Sequence, residues 1–316
     1  MELFVQRVFD GLSNGAIYAA VAVALVLIFK ATTLINFAQG ELAMFGTFIA
    51  YIFAVQSGML DFLGEGYLRI WVALVIAMVL SAALGAVIER ALIRPFDPED
   101  HLPVVLITLG LFLIINAVAG VIWNYEPRVL PNLFPNDRFI EFFESEENVV
   151  GARLWYDSIG VLLSLGVMLA VLWLILNRTK MGLAFRAVSS NTDSARLVGV
   201  RTGRVLMFGW ALASAFGAMG GILVAPRLNL SPNMMAPVLI YAFAAAAIGG
   251  LDSLGGAALG GILVGLIGSV LNGYLSDIDA LSFFRATPLL IPLLTLLFVL
   301  WFRPAGLFGT ARVERV

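Results

Sequence analysis

Apolar runs of roughly membrane-spanning length follow one another along almost the whole chain, near residues 11–29, 37–55, 70–88, 103–123, 157–177, 205–226, 236–250, 256–275 and 288–302. A run of about 20 apolar residues matches the hydrocarbon thickness of a bilayer when helical. Only 13% of residues are charged against 61% hydrophobic, about half the charged share of a soluble domain. The expected fold is therefore an all-α polytopic membrane protein with about eight to nine transmembrane helices. The runs leave no room for a separate soluble domain of ordinary size, so residues 1–316 form one transmembrane domain. The N-terminus lacks the basic region and short apolar core of a cleaved signal peptide, and its first run is expected to be retained as a span.

Two runs depart from a plain span. The run at 236–250 is short, and the run beginning at Asn36 carries Gln39, Gly40 and Glu41 at membrane depth. Either is open to being broken or re-entrant. Irregular backbone survives in a membrane only where protein or a water-filled cavity covers it, so irregularity here points to a transport pathway. Glu41 is the one ionisable residue well inside a candidate span, which makes it a functional candidate. A cap on the backbone N–H groups of a neighbouring half-helix is the bland alternative.

Between two long apolar runs lies MGLAFRAVSSNTDSARLVGVRTG, Met181 to Gly203. Arg186, Arg196, Arg201 and Arg204 would each cost roughly 2.5 to 3.5 kcal/mol at the bilayer centre, so this segment belongs in water. We read it as a cytoplasmic docking helix within a loop of about 178–204. Alternation then places Lys30, Arg90, Arg94, Arg303, Arg312 and Arg315 on the same side. Arg7, Arg69, Arg128, Arg138, Arg153, Arg227 and Arg285 fall opposite. The excess of basic residues beside the docking segment makes that side cytoplasmic, with the N-terminus outside and the C-terminus inside. The outer loop of about 124–156 mixes Glu126, Asp137, Glu141, Glu144, Glu146 and Glu147 with Phe139, Phe142 and Phe143, as a short amphipathic element at the outer surface would.

Chemistry is excluded more readily than assigned. There is no cysteine, no G-x-x-x-x-G-K-[ST] run to cradle phosphate, and no nucleophile paired with a base. The sole histidine, His101, sits among Asp97, Pro98, Glu99 and Asp100 as a solvated loop residue does. Nothing converges on a metal, and the net charge of −2 leaves no nucleic-acid footprint. Catalytic and metal-binding residues are thus expected to be absent. Glycines four apart, Gly217 with Gly221, Gly256 with Gly260 and Gly261 with Gly265, mark close helix approach, either within the chain or at a subunit interface.

The segment GLSNGAIYAAVAVALVLIFKATTLINFAQGELAMFGTFIAY closely resembles the N-terminal signature of LivH-type permeases, the membrane subunits of branched-chain amino-acid ABC importers. Three further segments agree with that family in order and spacing: RAVSSNTDSARLVGV, AAAAIGGLDSLGGAALGGILVGL and LLFVLWFRPAGLFG. One form of the first motif has His where this chain has Gln39. The resemblance implies a pathway-forming subunit of a bacterial or archaeal cytoplasmic membrane that does no covalent chemistry. Its implied partners are a second, LivM-type permease subunit, two cytoplasmic ATPases that carry ATP and Mg, and an outer solute-binding protein. It also implies an ATPase-coupling set of Arg186, Ala187, Ser190, Asn191, Asp193, Ala195, Arg196, Leu197 and Gly199. Within it, Ala187, Ala195, Leu197 and Gly199 are expected to make the close contact. Ser13, Asn14, Tyr18, Asn36, Gln39, Gly40, Glu41 and Thr108 are candidate pathway or gating residues, since a route for apolar amino acids needs few fixed charges. Urea, short amides or other amino acids are the alternative cargo. A stand-alone secondary transporter or channel is the alternative class, and it should show buried ion-coupling carboxylates or related halves.

Overall fold

The computed structural model describes residues 2–64, 66–96, 101–142, 151–275 and 287–309. Arg285, Arg312, Arg315, the acidic neighbours of His101, and Phe143, Glu144, Glu146 and Glu147 lie outside the described residues. Eleven α-helices are described: α1 (Glu2–Thr32), α2 (Gln39–Tyr51), α3 (Tyr67–Ile88), α4 (His101–Trp123), α5 (Tyr156–Arg178), α6 (Lys180–Ser190), α7 (Thr192–Leu197), α8 (Thr202–Leu228), α9 (Met235–Gly249), α10 (Leu254–Leu275) and α11 (Leu290–Phe302). Six of the helical stretches are long and apolar enough to cross a membrane, and α9 and α11 are shorter apolar helices. The chain is an all-α polytopic membrane protein.

Two helices form the centre. The most apolar stretches of α1 and α8 are 78% and 72% buried inside the chain, whereas that of α4 is 17% buried. The sequence explains the difference. Small residues fill α1 from Gly15 to Ala24 and α8 from Ala211 to Ala218, so neighbours close in on every side, while α4 carries Leu106, Leu109, Leu113, Ile114, Val121 and Ile122 outward. α1 is enclosed by α5, α8, α9 and α10, α2 lies against α8 and α3, and α4 covers α2 at the edge.

The candidate spans of the sequence correspond to the helices to within a few residues, apart from α1, which begins about two turns earlier. The run at 236–250 is short as expected, and the α-helix of the run beginning at Asn36 is short as well. α2 and α9 hold 13 and 15 residues, about 20 and 22 Å of helix, less than the ~30 Å hydrocarbon core. α2 is extended at its C-terminal end by a π-helical turn, Ile52–Gln56. The loop between α4 and α5 forms an antiparallel hairpin, β1 (Phe139–Phe142) with β2 (Ala152–Trp155), joined to α1 where the Arg153 backbone N–H donates to Gln6 Oε1 at 2.7 Å.

Candidate functional site

The polar run after α1 builds a break at depth. Asn36 Oδ1 accepts from the Ala38 backbone N–H at 3.0 Å, and its amide donates to Gln39 Oε1 at 3.3 Å. A short amide that satisfies local backbone in this way offers the chain an alternative to helix. Gln39 Nε2 donates to the Ala213 carbonyl at 3.0 Å. Ala213 is eleven residues into α8, about 16 Å along its axis, so α2 starts near the middle of the bundle. Gly40 lets α9 approach: a Cβ there would lie 3.2 Å from the Leu239 side chain.

Glu41, in the first turn of α2, is 2% exposed. Its Oε2 accepts from Asn116 Nδ2 of α4 at 3.3 Å, and among the described residues no Lys or Arg forms an ion pair with it. The same amide donates to the Pro232 carbonyl at 3.0 Å and stands 3.3 Å from Asn233 Oδ1, while Tyr125 OH donates to Asn116 Oδ1 at 3.0 Å. Asn116 is therefore the hub joining α2, α4 and the connection into α9. The sequence reading passed over it. The available signal was a lone amide in the run LFLIINAVAGVIW. Between α1 and α9, the rings of Tyr18 and Tyr241 stack at 4.4 Å and 4°.

Not every pathway candidate joins this cluster. The Thr108 hydroxyl donates to the Val105 carbonyl of its own helix at 2.9 Å. Asn14 belongs to a second cluster at the hairpin end, where Arg227 donates to Asn14 Oδ1, Ser13 Oγ and Asp157 Oδ2 at 2.9, 2.7 and 2.8 Å. These groups border a cavity of about 440 Å³ that also takes in Arg7, Asp10 and Trp155. The sequence treated Arg227 as an orientation signal alone, because its partners sit on α1 and α5, far away along the chain.

The basic segment folds as two helices. Thr179 caps α6 by accepting from the Gly182 N–H at 3.0 Å, and Asn191 caps α7 by accepting from the Ser194 N–H at 2.8 Å. Phe185 and Val188 turn inward, Phe185 onto Gly209 of α8. Leu197 and Val198 are 89% and 79% exposed, and Gly199 takes φ +84°. Arg186, Ser190, Asn191, Asp193 and Arg196 are also exposed, whereas Ala187 is half-buried. Ala195 departs from the expectation. At 3% exposed it faces the chain's own interior, so it cannot supply close contact to a partner. The helix register set by the Asn191 cap turns it there.

With this geometry in view, the model of a protein family described as branched-chain amino acid transport system, permease component, matches residues 7–300. The chain belongs to that permease family. The chain is 27% identical to the high-affinity branched-chain amino acid transport system permease protein LivH of Escherichia coli (strain K12), over 99% of this chain and 98% of that one. It is 26% identical to the permease protein BraD of Pseudomonas aeruginosa, with the same coverage. A probable LivH of the archaeon Methanocaldococcus jannaschii is 26% identical over 91% of this chain and 87% of that protein. Membership makes this a transport subunit rather than an enzyme.

The glycine pairs of the permease all pack inside the chain. Gly261 and Gly265 of α10 lie against Ala19, Gly15 and Gly11 of α1, and Gly256 and Gly260 against Gly249 and Ala245 of α9. Gly217 and Gly221 of α8 receive Gln39, Ala43 and Thr47 of α2. In most of these places a Cβ would strike backbone rather than a movable side chain.

Proposed function

We propose that this permease is one membrane subunit of an ATP-driven importer that takes branched-chain amino acids from an outer solute-binding protein and releases them into the cytoplasm. The match of the permease family model across residues 7–300 carries this reading. A LivM-type second permease subunit completes the pathway, and two cytoplasmic ATPases bind and hydrolyse ATP with Mg. The chain acts as one domain in the cytoplasmic membrane of a bacterium or archaeon, with its N-terminus outside and its C-terminus inside.

The pathway runs along the face shared by α2, α4 and α9. Asn116 of α4 is partly open and Asn233, in the turn into α9, is exposed beside it, and an amide of α4 left toward lipid would go unsatisfied at several kcal/mol. A second subunit and a watered route between the two remove that penalty. Asn36, Gln39, Gly40 and Glu41 stand behind this face and hold the discontinuous start of α2, and Tyr18 of α1 stacks on Tyr241 of α9. At the other end, the exposed Leu197–Gly199 turn offers an apolar tip to a groove on the ATPase, flanked by Arg186, Ser190, Asn191, Asp193 and Arg196.

Reconstitution into liposomes with the partner subunits tests this reading. Radiolabelled leucine, isoleucine or valine should accumulate only with internal ATP and external binding protein. Uptake driven by an ion gradient in the absence of ATP would overturn the importer reading. ATP-driven uptake of urea or short amides in preference to leucine would overturn the cargo assignment alone.

A further inference from the structure

We propose that Glu89 and Arg94 are positioning residues, a strut that binds the coupling segment to α3 so that a displacement at α7 moves α3 and α8 together. The inference rests on the importer reading above for its functional consequence, but its geometry stands apart. α3 ends in a π-helical turn, Glu89–Ile93, closed by the Arg94 N–H on the Glu89 carbonyl at 2.7 Å. The turn carries the Glu89 carboxylate inward to 0% side-chain exposure. There Arg94 grips it with both arms, Nε to Oε1 at 3.2 Å and Nη2 to Oε2 at 2.7 Å. The same Nη2 donates to the Gly203 carbonyl at 2.7 Å. Gly203 is the second residue of α8, just beyond the exposed Leu197–Gly199 turn, and the Arg94 side chain comes close enough that a Cβ there would stand 3.3 Å from Nε.

Two further observations make this contact mechanical. Higher up, α3 and α8 are already locked, with Gly85 set against the Trp210 carbonyl and Ser214. Below, a cavity of about 570 Å³ separates Val188–Arg196 from Lys30–Leu34 and Val104, with Arg94 and Gly203 in its wall. The coupling segment is therefore not packed solid onto the bundle at this level. The strut extends the α3–α8 lock down to the first turn of α8. Without it, that turn frays into the cavity and absorbs the displacement. Arginine suits the task because its planar fork holds a carboxylate bidentately and keeps donors for a third acceptor. π-helical turns such as this one recur at functional positions in helices.

Removing one partner alone leaves an unpaired group in the interior, so stability and coupling must be read separately. The assembled complex in liposomes is compared as parent, Arg94→Gln, Arg94→Lys and the double variant Glu89→Leu with Arg94→Met. Four quantities are measured: melting temperature, binding-protein-stimulated ATP hydrolysis, ATP hydrolysed per amino acid imported, and hydrogen exchange of the Arg204–Leu206 amides. Arg94→Gln should melt early. The double variant should regain the parent's melting temperature while ATP per import and amide exchange each rise about tenfold, the scale of one lost charge-assisted hydrogen bond. Arg94→Lys should fall between. A double variant that couples and exchanges like the parent would overturn the strut and leave the pair a stabiliser only. If the parent shows no ATP-driven uptake, the importer reading fails, and exchange at Arg204–Leu206 alone decides: an unchanged rate overturns the strut.

Discussion

Asn116 concentrates the most structure in the fewest atoms, because one amide serves Glu41, Pro232 and Tyr125 at once. Asn116→Leu keeps the volume but leaves the nearly buried Glu41 without its donor, a penalty of about 1–3 kcal/mol. The variant should melt several degrees below the parent in detergent and lose uptake per assembled complex. Thr108→Val is the control. Its hydroxyl serves only its own helix, so uptake per assembled complex should stay near the parent's and stability should fall by no more than about 1 kcal/mol, the scale of one local hydrogen bond. What the sequence could and could not say divides along the same line. Asn36, Gln39 and Glu41 stood out as polar atoms in an apolar run. Glu41's partner did not, since it lies 75 positions away and becomes a neighbour only when α4 covers α2. Glu89 was missed for a different reason: in AVIERALIRPF it reads as the charged end of a span, and only the π-turn carries it inside.

Among the elements, α6 and α7 show how far a local pattern reaches. Basic and small residues mark this segment as something other than a span, and the capping residues Thr179 and Asn191 were there to be read, while Phe185 and Val188 anchor it on the bundle. The face that α7 presents was not, because it depends on where the Asn191 cap starts the helix. The consequence is a pair of contrasting variants. Leu197→Glu alters an exposed tip, so the permease should purify and melt normally while co-purifying ATPase is lost. Ala195→Trp forces an indole into a site 3% exposed, and overpacking of that kind costs about 1–3 kcal/mol. It should lower the melting temperature of the permease itself, measured before any partner is added. Gly199→Val belongs with the second variant, since φ +84° suits glycine and strains a branched side chain.

On the scale of the molecule, basic residues partition between two ends. Lys30, Arg94 and Arg196 line one cavity and Arg7 and Arg227 another, which is the division that alternating spans demand. Cysteines placed in this chain, which has none of its own, report which end is outside. Asp137→Cys beside the hairpin should react with an impermeant maleimide added to intact cells, and Ser194→Cys on α7 only after permeabilisation. The reverse pattern would invert the topology. Element positions along the chain were legible because period and length are local properties. The central place of α1 was not, since nothing in one apolar run says how many others will surround it.

That central place has a consequence for synthesis. α1 leaves the ribosome well before α10, yet its glycine seam with that helix waits for Gly261 and Gly265, which at ordinary elongation rates follow roughly 10 to 50 s later. Until then the helix that ends up at the core rests against lipid or the insertion machinery, its small-residue face unfilled. A nascent chain cut short before α10 should thus be recognised as incomplete and degraded, however many of its earlier spans have already entered the bilayer.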